Sequence, residues 1–107
     1  MPVNIEGSNE IVIAYLNGEI DHHSAKGIRT KIDGAVGEQS PSLLVLDFSG
    51  VSFMDSSGIG LVMGRYKLIH SIGGTLHVVN VSPSAYKIMT LAGLQNLATI
   101  TETEVKK

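Results

Sequence analysis

The sequence predicts an α/β fold, with a single mixed β-sheet of four to five strands packed with three to four α-helices. Three observations carry that prediction. Short runs of β-branched and aliphatic residues alternate with segments whose apolar residues recur at helical spacing. Capping and turn residues mark most changes of period. The 107 residues, 43% of them hydrophobic, suit one core and leave no length for a second. Residues 1–107 are therefore read as one domain, with a core over about 3–101 and a charge-alternating, frayed tail over 102–107.

The elements follow in order. A first strand is expected near Val3 to Ile5 and a second over Glu10 to Leu16, where Ile11, Val12, Ile13 and Tyr15 favour extended backbone and Asn17-Gly18 supplies turn chemistry. From Asp21 the period changes to helical. Ala25, Ile28, Ile32, Ala35 and Val36 share one side, Lys26, Arg29, Lys31 and Asp33 fall largely on the other, Asp21 is the N-cap and Gly37 the stop. Leu43-Leu44-Val45-Leu46 is a continuous apolar run, expected at the centre of the sheet with both faces covered. Ser49-Gly50 is read as a turn, after which Val51 to Met54 leads to a small polar segment.

A second helix carries Ile59, Val62, Met63, Tyr66 and Ile69 on one stripe and ends at Gly73-Gly74. Leu61 and Leu68 lie off that stripe, which implies either a wide buried face or a surface covered by a partner. Thr75 to Val79 reads as a strand. Ser82-Pro83 caps and opens a last helix with Ala85, Ile88, Met89 and Ala92 inward and Gly93 as its stop, and Leu97 to Thr101 forms an edge strand.

Composition removes several function classes. There is no cysteine, so disulfides, thiol nucleophiles and thiolate metal ligands are out. No apolar run approaches the roughly 20 residues that span a bilayer, and Met1-Pro2-Val3-Asn4 has no signal-peptide pattern, so a cytoplasmic protein with no membrane partner is expected. Eight Lys and Arg, scattered along the chain, stand against ten Asp and Glu, giving a formal charge of −2. With few aromatic residues and no Trp, that is poor material for direct nucleic-acid binding.

The candidate site is Phe53-Met54-Asp55-Ser56-Ser57-Gly58-Ile59-Gly60, where an apolar segment breaks into small polar residues and re-enters a helical pattern. The first turn of a helix has unpaired amide N–H groups and a partial positive charge, and it tolerates an added phosphate. Asp55, Ser56 and Ser57 are each able to cap this helix. A serine that faces solvent and is not engaged as the cap could change its charge without unfolding the domain.

These residues carry a family resemblance. Gly18-Glu19-Ile20-Asp21-His22-His23, Leu46-Asp47-Phe48-Ser49-Gly50-Val51-Ser52-Phe53-Met54-Asp55-Ser56-Ser57-Gly58-Ile59-Gly60, Gly64-Arg65-Tyr66-Lys67, Ile72-Gly73-Gly74 and Leu91-Ala92-Gly93-Leu94 together resemble the STAS-domain anti-sigma factor antagonists of spore-forming bacteria, in particular their SpoIIAA branch. The resemblance spans about Ile11 to Leu97. It implies the STAS fold and a partner switch in sporulation. The unphosphorylated protein binds an anti-sigma factor that is also a serine kinase, which frees the sigma factor and so controls transcription. Phosphorylation by that kinase, which supplies the ATP, ends the complex, and a metal-dependent serine phosphatase restores it. The phosphoacceptor maps onto Ser56. Partner contacts are implied around it, at Asp21, His22, Asp55, Ser57, Gly58, Ile59, Gly60 and Gly64. The phosphoprotein itself needs no cofactor, no catalytic residue and no metal.

Other readings of the same residues remain. Gly58 and Gly60 suit either close approach of a partner or helix packing, and no Walker lysine follows them. Gly64 inside a helix costs about 1 kcal/mol relative to Ala, which implies close packing or a partner there. Arg65 and Lys67 read as solvated charges. Adjacent His22 and His23 point about 100° apart on a helix and cannot readily share one metal ion. His70 and His77 read as surface or half-buried residues. A hydrolase built on Ser56 would need His22 or His23 as base, and the Gly-x-Ser-x-Gly elbow is missing. STAS-like regulators of the general stress pathway and small-ligand-binding STAS proteins are the alternatives within the family.

Overall fold

Val3–Gly7 (β1) and Ile11–Ile20 (β2) form an antiparallel hairpin closed by Ser8. The Ser8 amide donates to the Ile11 carbonyl at 2.9 Å, and its hydroxyl accepts from the Glu10 amide at 3.3 Å. The computed structural model, which describes residues 2–103, then continues through α1 (His22–Gln39), β3 (Leu43–Met54), α2 (Ser57–Ser71), β4 (Thr75–Val81), α3 (Pro83–Leu91), a 3-10 turn (Leu94–Asn96) and β5 (Thr99–Glu102). The strands lie side by side in chain order, and β2 to β5 run parallel. This mixed five-stranded sheet with three helices falls within the four to five strands and three to four helices that the sequence predicted. β3 is its central strand.

Each parallel strand is reached through one helix, always moving the same way across the sheet. Crossovers of one hand then put all three helices on one face. The core shows this directly. Val12, Leu44 and Leu76 are in register, as are Ala14, Leu46 and Val78, and all are buried under Ile28, Ile32 and Val36 of α1, Leu61, Val62 and Ile69 of α2, and Ala85 and Met89 of α3. On the opposite face Ile13, Val45 and His77 are only half-buried. The expectation that Leu43 to Leu46 is covered on both sides is therefore corrected: the strand is flanked by parallel neighbours, but only Leu44 and Leu46 face helices.

Three further boundaries differ from the sequence reading. Asn17-Gly18 and Ser49-Gly50 make no turn. They lie inside β2 and β3, side by side, where Tyr15 opposes Asp47, Asn17 opposes Gly50, and Glu19 opposes Phe53. Twice, β3 fits one more residue than β2 into the same length, so the turn-forming residues serve bulges instead. Gly18 takes a positive φ of 80°, and a Cβ on Gly50 would run into the Asn17 side chain and stand 2.9 Å from the Leu16 carbonyl oxygen. Gly37 does not stop α1. The helix runs on to Gln39, Ser40 ends it in the left-handed region at φ 47°, and Pro41 prevents its continuation.

The predicted caps hold elsewhere. Ser82 accepts from the Ala85 amide at 3.2 Å ahead of Pro83, and Gly93 follows α3 at φ 81°. Ile88 and Ala92, expected at the same helical spacing, are exposed: α3 turns Ala85, Met89 and half-buried Tyr86 to the core, and Ala92 lies at its C-cap. Glu102 is still in β5 and the Thr103 amide donates to the Val81 carbonyl at 2.8 Å, so ordered strand extends past the expected end of the core. The rest of the expected frayed tail, residues 104–107, lies outside the described residues. No helix among the described residues is long and apolar enough to cross a membrane.

Two glycine variants check this description. Gly37→Ala should stabilise the protein by about 0.5–1 kcal/mol, since its site is helical and open. Gly50→Ala should destabilise it by about 1–3 kcal/mol, since the β2 backbone blocks the new methyl group. Urea unfolding of the two variants beside the parent measures both.

Candidate functional site

The site is built where β2 and β3 run out together. Ile20 pairs with Met54, and the Asp55 amide donates to the Ile20 carbonyl at 3.1 Å, so the two strand ends release their helices side by side. Met54 is buried beneath the start of α2, whereas Phe53 points outward and is 55% exposed.

At the start of α1, Asp21 caps the helix as predicted. Its carboxylate accepts from the His23 and Ser24 amides, both at 2.9 Å, and the Asp21 amide in turn donates to the Ser24 hydroxyl at 3.1 Å. Foremost the hydrogen bond from the Ser24 amide, aided by that from His23 against a smaller desolvation, holds the Asp21 carboxyl below its ordinary value of 3.8.

At the start of α2 three consecutive residues divide the work that the sequence left open between them. Asp55 acts as the cap, accepting from the Ser57 amide at 2.8 Å, and its carbonyl takes the Gly58 amide at 3.0 Å. Ser56 already has helical backbone angles, φ −62° and ψ −18°, and its side chain makes no capping hydrogen bond. It is exposed, and its hydroxyl is joined by hydrogen bond neither to His22 nor to His23 among the described residues. Ser57 is half-buried.

Not all of the expected contact residues reach the surface. Gly58 is buried, and a Cβ there would collide with the Met54 side chain, so internal packing explains it and it offers a partner nothing. Ile59 packs against the core as a half-buried residue. Gly60 is exposed and Gly64 half-buried, and a Cβ at either would meet nothing within 4 Å. Close packing within the chain is thus excluded as the reason for Gly64.

Leu61 is 4% exposed and faces α1, which resolves the wide-face alternative for that residue. Arg65, read from the sequence as solvated, is 6% exposed and is the one buried charged side chain among the described residues. Its Nε lies 2.8 Å from Asp33 Oδ1 of α1, an ion contact whose N–H is not aligned as a hydrogen bond, and Nη2 donates to Oδ2 at 3.4 Å. Burial, with the like charge of Arg29, pulls the guanidinium below its ordinary value while Asp33 opposes the change. The signal that could have found it is spacing: Leu61 and Arg65 are one turn apart, opposite an acid on α1.

Between α1 and α2 opens a cleft of about 510 Å³ lined by His22, His23, Lys26, Arg29, Ser57 and Gly60. The two histidine rings meet edge to face with centroids 5.7 Å apart, and both are exposed. Among the described residues no three His, Asp or Glu side chains converge as metal ligands. His70 is exposed and stacks on Tyr66 at 5.2 Å, and His77 is half-buried in β4.

The STAS domain family matches residues 2–106 of the chain. The chain belongs to the STAS domain family. It is 34% identical over 105 residues to the anti-sigma F factor antagonist of Paenibacillus polymyxa, covering 98% of this chain and 90% of that one. Among solved structures it resembles the anti-sigma factor antagonist SpoIIAA in its unphosphorylated form, with TM-score 0.80 and 34% identity over 92% of this chain and 86% of that one. The Bacillus cell fate determinant SpoIIAA in the phosphorylated form gives TM-score 0.73 and 34% identity over 92% and 89%. In STAS terms, the serine block sits where the two longest strands leave the sheet.

The Asp21 cap gives a pH signature. Because its carboxyl is held down in the folded chain, the stability it confers is complete above its unfolded value and is lost as pH falls through the lower folded one. Asp21→Ala should therefore melt below the parent at pH 7, and the gap between the two melting temperatures should narrow as pH falls below 3.8.

Proposed function

We propose that this STAS protein is an anti-sigma factor antagonist whose binding to the anti-sigma factor is switched off by phosphorylation of Ser56. The observation that carries the reading is the free hydroxyl of Ser56, exposed at a helix start whose cap is already provided by Asp55. It stands in a chain 34% identical to SpoIIAA, a relative described in both unphosphorylated and phosphorylated forms. The protein acts by binding and not by catalysis. The anti-sigma factor is its partner, that factor serves as the serine kinase and brings ATP, and a metal-dependent serine phosphatase reverses the modification.

The chemistry of the switch follows from the site. A phosphate on Ser56 adds about −1.5 to −2 charge next to Asp55 and near Asp21. In the free protein it stays in water at a helix N-terminus, which favours it. A partner packed on this loop would have to desolvate it, which costs several kcal/mol unless a cation is placed to meet it. The fold would be untouched, since the Ser56 hydroxyl makes no hydrogen bond and only its backbone carbonyl, which accepts from the Ile59 amide at 3.1 Å, serves the helix. The contact surface would comprise Asp21, His22, Asp55, Ser57, Ile59, Gly60 and Gly64, with Gly60 and Gly64 left small so that the partner can approach the α2 backbone.

Incubation with the anti-sigma F factor of Paenibacillus polymyxa and ATP, followed by tandem mass spectrometry, should place phosphate on Ser56, and Ser56→Ala should remain unlabelled. Ser56→Glu should bind that factor about 100-fold more weakly, or about 3 kcal/mol. Phosphate on Ser57, or tight binding by the stoichiometrically phosphorylated chain, would overturn the proposal. Gly64→Ala separates fold from contact: it should stabilise the free protein by about 0.5–1 kcal/mol and yet weaken binding, as measured by urea unfolding and calorimetry.

A further inference from the structure

The cleft between α1 and α2 has a charge that the rest of the chain does not share. The protein carries ten acidic against eight basic residues, yet Lys26, Arg29, His22 and His23 line this one space and no carboxylate does. The acids at the cap of α1 and on the helix nearby are engaged elsewhere. Asp21 turns its carboxylate to the His23 and Ser24 amides, and Asp33 is paired with the buried Arg65. Neither Lys26 nor Arg29 has an ion-pair partner among the described residues, and both are exposed. The floor is shaped for contact too, since Gly60 presents no side chain and Ser57 only a hydroxyl.

From this we infer that the cleft is a docking groove for an acidic segment of the anti-sigma factor, with Lys26 and Arg29 meeting its carboxylates. The inference rests on the reading that the partner docks over the Ser56 loop, because Ser57 of that loop forms one wall of the cleft. Opposite charge across such a surface sets encounter rate and register more than final affinity. It also makes binding sensitive to salt, because exposed charges are screened over about 10 Å at 0.1 M. A partner seated there would cover α1 and α2 together, so it would engage both helix starts held at the ends of β2 and β3.

The test is a charge reversal, Lys26→Glu with Arg29→Glu, compared with the neutral pair Lys26→Gln and Arg29→Gln. Both positions are exposed, and thermal unfolding confirms that the variants fold. Binding to the anti-sigma F factor of Paenibacillus polymyxa at low salt should weaken by roughly tenfold or more in the reversed variant, and less in the neutral one, chiefly through slower association. Parent affinity should fall as salt rises, while that of the reversed variant should not. If both variants bind like the parent while Ser56→Glu does not bind, the docking surface survives and the acidic groove is overturned. If the parent itself fails to bind, the functional reading fails with that partner, and the groove is judged on the free chain. There, amide shifts at His22 to Arg29 and Ser57 to Gly60 on titration with hexaglutamate, but not with inorganic phosphate, would support it. Shifts elsewhere, none, or equal shifts with phosphate would overturn it.

Discussion

The structure depends on the parallel pairing of β2 and β3 being carried past the point where β3 parts from β4. β3 pairs with β4 only as far as Asp47 and Val79, yet it stays paired with β2 to Met54. Over that overhang, from Tyr15 to Ile20 on one side and Asp47 to Met54 on the other, the two strands end level only because β3 absorbs extra residues in bulges. Remove that accommodation and Met54 would not meet Ile20, the Asp55 amide would lose the Ile20 carbonyl, and the starts of α1 and α2 would part. The cleft and the placing of the two capped helix starts side by side follow from this pairing.

Helix packing then fixes the angle that the strands leave open. α1 and α2 touch through Leu61 and through the Arg65 to Asp33 contact. A buried ion pair is a weak source of net stability, because desolvation offsets the attraction. Its effect here is geometric. Arg65 has a rigid guanidinium that also reaches the Leu61 carbonyl at 3.4 Å, so its approach to Asp33 sets how α2 lies along α1. The part of α2 that carries exposed Gly60 thereby faces Lys26 and Arg29 across the cleft.

Much of this was legible in the sequence, and the failures are instructive. Helix starts could be read because caps are local: Asp21 and Ser82 act through amides two or three residues away. The central strand could be read because Leu43 to Leu46 has no polar break. Asn17-Gly18 and Ser49-Gly50 could not, because a tight turn and a bulge call for the same residues, and only the register between distant strands tells them apart. Arg65 was hidden for a similar reason: whether a helical arginine is solvated depends on an acid 32 residues away. The serine block is visible as a helix start, but its division of labour is not, since Asp55, Ser56 and Ser57 have equal local claims to the cap.

That division is what the proposed charge switch at Ser56 would require. A modifiable residue at a helix start faces opposing demands, since the unpaired amides attract an anion while the helix needs one there for its own stability. If Ser56 were the cap, esterifying its hydroxyl would disturb the first turn of α2, and binding and folding would change together. Asp55 removes the conflict by taking the Ser57 amide, and Gly58 removes a second one by letting Met54 pack tightly beneath the turn. The loop is thus held by its neighbours and by backbone bonds, and not by the Ser56 hydroxyl. A phosphate placed there, as proposed, would alter what the surface can touch while the scaffold that presents it kept its own hydrogen bonds.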